Sequence, residues 1–258
     1  MNIALVREVE SPESDFIEEH VSRCGDLTVA VSGLLGPTLG TVYDVAIGVG
    51  PVVALPVGRK RVLFALGPIA EHSDCDWDVI VVSSRAALRS AREKFGYRAK
   101  IVVSEPWLAG STLGRHRVGF DRKVRFLHAS SLGSGSRVQD IFRFSNDVLA
   151  MGLWSSYADV GGKVVPFDLL DFNCLVRNGA IGVYMSRTDG HDIQVRRHLA
   201  LGGCVVCSRD VEVLGDLTDL CFDLDAVSWD SVATHQEPVE CLGSRDDYAG
   251  LIAEVVGG

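Results

Sequence analysis

No apolar run in this sequence approaches the roughly 20 residues needed to span a bilayer. Nor does any stretch combine the basic start, apolar centre and small-residue cleavage site of a secretory leader. Membrane insertion is therefore not expected, and a cytoplasmic location is. Cysteine is sparse: Cys24, Cys75, Cys174, Cys204, Cys207, Cys221 and Cys241 are an odd number, dispersed rather than crowded into a small disulfide framework. Buried free thiols are the expectation. Internal repeats and low-complexity tracts are missing too, which excludes solenoid and array architectures. So are the G-x-G-x-x-G fingerprint, the Lys-Ser/Thr ending of a P-loop, the G-x-S-x-G elbow and a two-histidine helical zinc motif. Covalent hydrolase chemistry has no support in the pattern.

What the chain does have is ample apolar content, 47% of 258 residues. That is enough for one large core or two smaller ones. Its formal net charge of -9 argues against nonspecific nucleic-acid binding, but the charge is uneven. Between Arg59 and Arg125, Lys and Arg outnumber Asp and Glu two to one, whereas from Ala129 onward acidic residues dominate by a similar factor. A local field could attract anions while the molecule as a whole is acidic, although solvated helix faces would leave the same imbalance.

The hydrophobic period switches repeatedly between short β-branched runs and helical spacing, the pattern of parallel α/β layers. "NIALV" predicts a strand, "SPESDFIEEHVSRCG" a helix, and "LTVAV", "YDVAIGV", "VVALP" and "KRVLFAL" further strands with little room for helices between them. "DVIVVS", the helix "SRAALRSAREKFG" and the strand "AKIVVSEP" complete a first unit. After the polar stretch "GSTLGRHRVGFDRK" comes a second series: strand "VRFLHAS", loop "SLGSGSR", helix "VQDIFRFSNDVLAMG", strand "KVVPF", helix "DLLDFNCLVRNG", strand "AIGVYMS", a loop with its helix, and strand "CVVCS". "SRDDYAGLIAEVV" ends the chain as a helix capped by Ser244. The expected organisation is an α/β domain over 1–112, a linker over 113–123, and a second α/β domain over 124–258 whose last helix could return to the first. Two Rossmann-like domains of this kind would face each other across a ligand cleft.

Two strand-to-helix junctions carry the candidate chemistry. In "RTDGHDIQVRRHLALGG" the helix is expected to start near Ile193 with Asp192 as its cap, so its first amides could hold an anion. Gly190 would let the backbone approach a ligand, Asp189 could accept from sugar hydroxyls, and Arg196 or Arg197 could face a phosphate. An ordinary capped helix with solvated arginines fits the same letters. Asp189, His191, Asp192 and His198 contain metal-ligating atoms, but their spacing does not build a metal site, and no metal is expected. The second junction, "HASSLGSGSRVQD", exposes main-chain N–H groups around Ser131, Gly133, Ser134, Gly135 and Ser136, with Arg137 able to neutralise a pyrophosphate. Cys204 and Cys207 form a CxxC, but three apart on a strand they point to opposite faces. Asp223 with Asp225, and Asp76 with Asp78, form DxD pairs at the ends of hydrophobic strands, where charged loop ends are common.

"VYMSRTDGHDIQVRRHLALGGCVVCS" resembles the donor-binding segment of retaining glycosyltransferases with the two-domain GT-B fold, especially the group-4-like family. Ser186, Asp189, Gly190, Ala200, Gly202, Val205 and Val206 match that pattern. Asp192 stands at its second loop glycine, Arg197 at its second acidic residue and Cys204 at its proline. Leu66 and Gly67 stand where the acceptor domain often has a histidine. The resemblance implies a sugar transferred from a nucleotide-sugar donor to a hydroxyl acceptor, with no cofactor and no obligatory metal. It implies that Asp189 contacts the donor sugar, Arg137 binds the diphosphate, and the amides around Gly190, His191, Asp192 and Ile193 cradle sugar and phosphate. The base would lie near Val165 to Phe167. On the acceptor side, Arg59, Lys60, Arg61, Arg115 and Arg117 suit an anionic partner, hydroxylated bases in phage DNA among them. A nucleotide- or sugar-binding protein without catalysis is the alternative.

Overall fold

The computed structural model describes residues 1–7, 12–31, 40–66, 69–104, 124–130, 148–152, 164–166, 169–184, 192–207, 220–228, 232, 236–238 and 244–258. The chain divides into two compact units, one made of Met1–Ala109 with Gly243–Gly258 and the other of Gly110–Leu242. Each is built on a six-stranded parallel sheet.

In the first unit the strands are β1 (Asn2–Arg7), β2 (Asp26–Val31), β3 (Val42–Val49), β4 (Val57–Phe64), β5 (Val79–Val82) and β6 (Lys100–Val103). They lie in the order β2-β1-β3-β4-β5-β6. β1 and β5 are near-continuous apolar runs because helices and chain cover both faces of the sheet. Alternation sorts each strand between two cores: Ile3, Leu5, Val45, Ile47, Val62 and Phe64 face one, and Val6, Leu63, Ile80 and Val82 the other. Helix α1 (Pro12–Val21) closes the first core. Helix α2 (Arg85–Phe95) closes the second with Ala87 and Ala91. Ser84 caps α2 by accepting from the Ala87 amide at 3.1 Å. Gly96 ends it at φ 69°, a left-handed conformation for which glycine is suited.

"VVALP" is not a strand. β3 and β4 are parallel neighbours, so the chain must return the length of a strand between them, and only residues 50–56 are available. Gly50, at φ 75°, turns the chain out of β3, and its amide bonds to the Phe64 carbonyl at 3.0 Å. The segment then crosses the sheet without a helix. Val52 is 1% exposed, and it meets the sheet beside Trp77 at Gly48, where a Cβ would stand 2.9 Å from each of them. The apolar letters of this stretch report a strap over the core.

In the second unit the strands are β7 (Phe126–Ser130), β8 (Val148–Gly152), β9 (Val164–Pro166), β10 (Ile181–Tyr184), β11 (Val205–Cys207) and β12 (Phe222–Asp223). Their order is β12-β11-β10-β7-β8-β9. Renumbered from β7, that is 3-2-1-4-5-6, the doubly wound Rossmann order. "VLAMG", expected as the end of a helix, is β8. Val148 packs into one core, with Phe126, Ile181, Val183 and Val206, and Met151 into the other. A short apolar run buried on both faces has no period that separates strand from helix. Helices α3 (Leu169–Arg177) and α4 (Asp192–Ala200) follow β9 and β10.

Helix α5 (Arg245–Gly257) belongs to the first unit. Tyr248, Ile252, Val255 and Val256 enter the core with Ile3, Leu5 and Ile17. Tyr248 stacks on Phe16 at 6.0 Å, and Ser244 caps the helix by accepting from the Asp247 amide.

Candidate functional site

Strand order alone singles out one place in the second sheet. From β7 the chain winds outward through β8 to β9, then returns to β10 on the other side of β7, so the crossovers diverge at the carboxyl ends of β7 and β10. Open α/β sheets bind ligands at such a switch point. The register between these strands is short, Phe126 with Ile181 and Leu127 with Gly182. Beyond it, a side chain takes over from the backbone: His128 Nδ1 donates to the Val183 carbonyl at 2.8 Å. The imidazole ring lies 5.5 Å from that of Tyr184. Burial pushes the His128 pKa down to about 4, its bond to Val183 opposing the shift only in part. A neutral histidine and a buried tyrosine therefore lie at the base of the switch point. Neither was singled out by the sequence, because a lone histidine in an apolar strand carries no motif.

Both sequence-nominated junctions leave this place. Residues 131–147, containing Ser131, Gly133, Ser134, Gly135, Ser136 and Arg137, follow β7. Residues 185–191, containing Asp189, Gly190 and His191, join β10 to α4. These residues, with Phe167, Arg115 and Arg117, lie outside the described set.

No family model matches the chain, and no curated protein matches it. Among solved structures it is similar over its whole length to the glycotransferase of kitacinnamycin, at 12% identity and a TM-score of 0.42, covering 93% of that chain. It is likewise similar to AviGT4, a glycosyltransferase involved in avilamycin A biosynthesis, at 14% identity, a TM-score of 0.43 and the same coverage. Over 77% of its length it is similar to the pneumococcal O-GlcNAc transferase GtfA in complex with UDP and GlcNAc, at 11% identity and a TM-score of 0.35. The chain spans 45% of that protein, about half its length. Likeness at this level leaves the chemistry to be read from this chain's own residues.

α4 begins at Asp192, one residue before the expected start, so the unpaired amides of its first turn follow directly on residues 185–191. Beyond that turn the helix is buried on every side. Val195, Arg196, Arg197, His198 and Leu199 are all core residues, and Arg197 is 0% exposed. Its Nη1 donates to Gln194 Oε1 at 2.9 Å. The two arginines are thus not the solvated pair that their charge suggests.

His198 is a packing residue. Nε2 donates to the Ala180 carbonyl at 3.0 Å, the ring meets Phe172 edge-on at 5.7 Å, and burial lowers its pKa to about 4. Gly182 and Gly203 make room for it: a Cβ on Gly203 would stand 2.4 Å from His198 Cδ2. Among the described residues no group of three or more His, Cys, Asp or Glu side chains is placed to hold a metal. Asp223 Oδ1 accepts from the Asp225 amide and Asp78 Oδ2 from the Arg61 amide of β4, so one carboxylate in each DxD pair is engaged by main-chain N–H, the first locally and the second on the neighbouring strand. Cys204 and Cys207 are buried free thiols, Cys204 in the core with Val206 and Cys207 hydrogen-bonded to Cys221.

Arg59, Lys60 and Arg61 are the third to fifth of the eight residues of β4, short of the carboxyl edge of the first sheet. Arg59 is 79% exposed at its side chain and lies 3.7 Å from Asp44. Among the described residues no helix is long and apolar enough to cross a membrane.

Proposed function

We propose that this chain is a GT-B-like glycosyltransferase that moves a sugar from a nucleotide-sugar donor to a hydroxyl acceptor. The observation that carries the proposal is the coincidence of two independent readings. The segments nominated by sequence chemistry, one rich in small residues with Arg137 and one containing Asp189 and Gly190, are those that leave the two strands flanking the switch point.

In this reading the donor diphosphate is neutralised by Arg137 and the first-turn amides of α4, which need no reorganisation as negative charge develops on the leaving group. Asp189 accepts from the donor sugar's hydroxyls and orients the ring, and the base lies toward Phe167 at the end of β9. The bond between the anomeric carbon and the diphosphate breaks, and a bond to the acceptor oxygen forms on the same face. The acceptor's proton passes to the departing phosphate, so no dedicated nucleophile is required. Cationic side chains and helix amides supply the charge that a bivalent metal supplies elsewhere. An anionic acceptor such as DNA with hydroxylated bases suits the basic span from Arg59 to Arg125. Its binding should weaken steeply with added salt, and no binding at low salt would remove it.

The test is release of free nucleotide from a panel of nucleotide sugars, with and without hydroxyl acceptors. At least one donor should turn over, and Asp189→Ala should reduce transfer by on the order of a hundredfold. Full activity in that variant would refute the assignment of Asp189. A second reading, binding without catalysis, is favoured by Arg197. It stands where the resembled pattern has the carboxylate that holds ribose, and here it is a buried residue bonded to Gln194. Saturable nucleotide binding with no turnover of any donor decides for that reading.

A further inference from the structure

The first unit carries an open cavity of about 500 Å³ that the transfer reading does not use. It lies between residues 74–78, which lead into β5, and residues 94–99, which join α2 to β6. That is the amino edge of the sheet. The carboxyl edge, where open α/β sheets take their substrates, is a strand length away, roughly 13 Å for four residues. Asp78 fixes the floor by joining three strands: its carboxylate accepts from the Arg61 amide of β4 at 2.7 Å, and its carbonyl from the Lys100 amide of β6 at 2.8 Å.

The walls carry both signs of charge and an aromatic. Asp74 and Asp76 are exposed at alternate positions, while Trp77 turns inward to the core. Lys94 is anchored, donating to the carbonyls of Ala70 and His72 and lying 3.5 Å from Asp74. Arg98 is exposed on the same rim. Tyr97 is 88% exposed, with the Arg92 guanidinium 5.8 Å from its ring centroid.

This lining selects among ligand classes. Phosphate or carboxylate ligands meet three aspartates. An organic cation meets Lys94 and Arg98. An apolar ligand would strip water from charged walls without replacing it. A sugar avoids all three penalties, because each hydroxyl both donates and accepts: it can donate to Asp74 or Asp76, accept from Arg98, and lay its C–H face on the Tyr97 ring. The volume is that of an ordinary small-ligand site. We propose that this cavity is a second, noncatalytic saccharide-binding site, taking one sugar ring or the end of a short glycan at the amino edge of β5 and β6.

The experiment is a ¹⁵N–¹H titration of the full chain with glucose, galactose, N-acetylglucosamine and maltose, with spermidine and inorganic phosphate as probes of the competing classes. At least one saccharide should shift the Gly96 to Ala99 amides saturably; maltose binding more tightly than glucose would identify a glycan end rather than a free monosaccharide as the occupant. Tyr97→Ala should weaken that binding about tenfold and Asp76→Asn should weaken it too, and neither exposed residue is needed for folding. Asp189→Ala should leave it unchanged. The proposal is overturned if no saccharide shifts these amides, if Tyr97→Ala binds as tightly as the parent, if Asp189→Ala abolishes the shift, or if only spermidine or phosphate produces it. None of these outcomes depends on turnover of a nucleotide sugar, so this site and the transfer reading fail separately.

Discussion

Acidification should loosen the second sheet through His128 and His198. Each has a native pKa lowered to about 4 by complete burial, against 6.5 in the unfolded chain. Between those values the unfolded chain binds more protons than the native one, so stability rises with pH across that window. The contribution is fully present above pH 6.5 and is lost as pH falls toward 4. From pH 7 to pH 5 each histidine forfeits about 2 kcal/mol, and the pair about 4 kcal/mol, if the two sites titrate independently. That is a large share of a typical total of roughly 5–15 kcal/mol. Other groups also titrate, so the informative quantity is a difference between proteins. His128→Asn and His198→Gln retain an N–H near the position of each donating ring nitrogen but carry no titratable group. Hydrogen exchange of the Ile181 to Tyr184 amides, measured at several pH values, should show protection falling steeply in the parent and far less in the double variant. Equal pH slopes would refute the reasoning, and so would a parent more protected at pH 5 than at pH 7.

Three further outcomes follow from close packing and capping. Gly203→Ala should cost about 1–3 kcal/mol by driving a methyl into His198 and Val176, read as a lower urea midpoint with an unchanged slope. Ser84→Ala should cost about 1 kcal/mol by leaving the Ala87 amide without its cap, while Ser84→Asp should restore most of it. Trp77→Ala should cost about 3–5 kcal/mol by opening a cavity beneath the 50–56 strap, and thermal melts of the two proteins would show it.

Most strands were legible because each is a short β-branched run closed by a capping residue or glycine. "DVIVVS" and "AIGVYMS" contain β5 and β10. The two misassigned segments are those where apolar letters lack a period: "VVALP" buries Val52 and Pro56 while Val53 stands 75% exposed, outside the sheet's ladder, and "VLAMG" joins a sheet after a stretch with helical spacing. Strand order was not legible, since neither alternation nor caps record which strand lies beside which. It is strand order that sets the β7–β10 junction apart. The burial of Arg196 and Arg197 also escaped the sequence, because adjacent arginines on a helix ordinarily mark its solvated face. His128 was missed for the opposite reason. Nothing in a single imidazole distinguishes a hydrogen bond across two strands from a surface residue.

Helix α5 has a consequence for synthesis. The first sheet is made early, but the side chains that complete one of its cores, Tyr248, Ile252, Val255 and Val256, are made after the whole second unit. At about 5–20 residues per second, the apolar surface of Ile3, Leu5 and Ile17 awaits its last cover for many seconds, until residues beyond 244 leave the ribosome. At the end of that interval the second unit has all its residues while the first does not. A nascent chain stalled before Ser244 is therefore expected to expose a sticky β1–α1 surface, the natural place for a chaperone to bind.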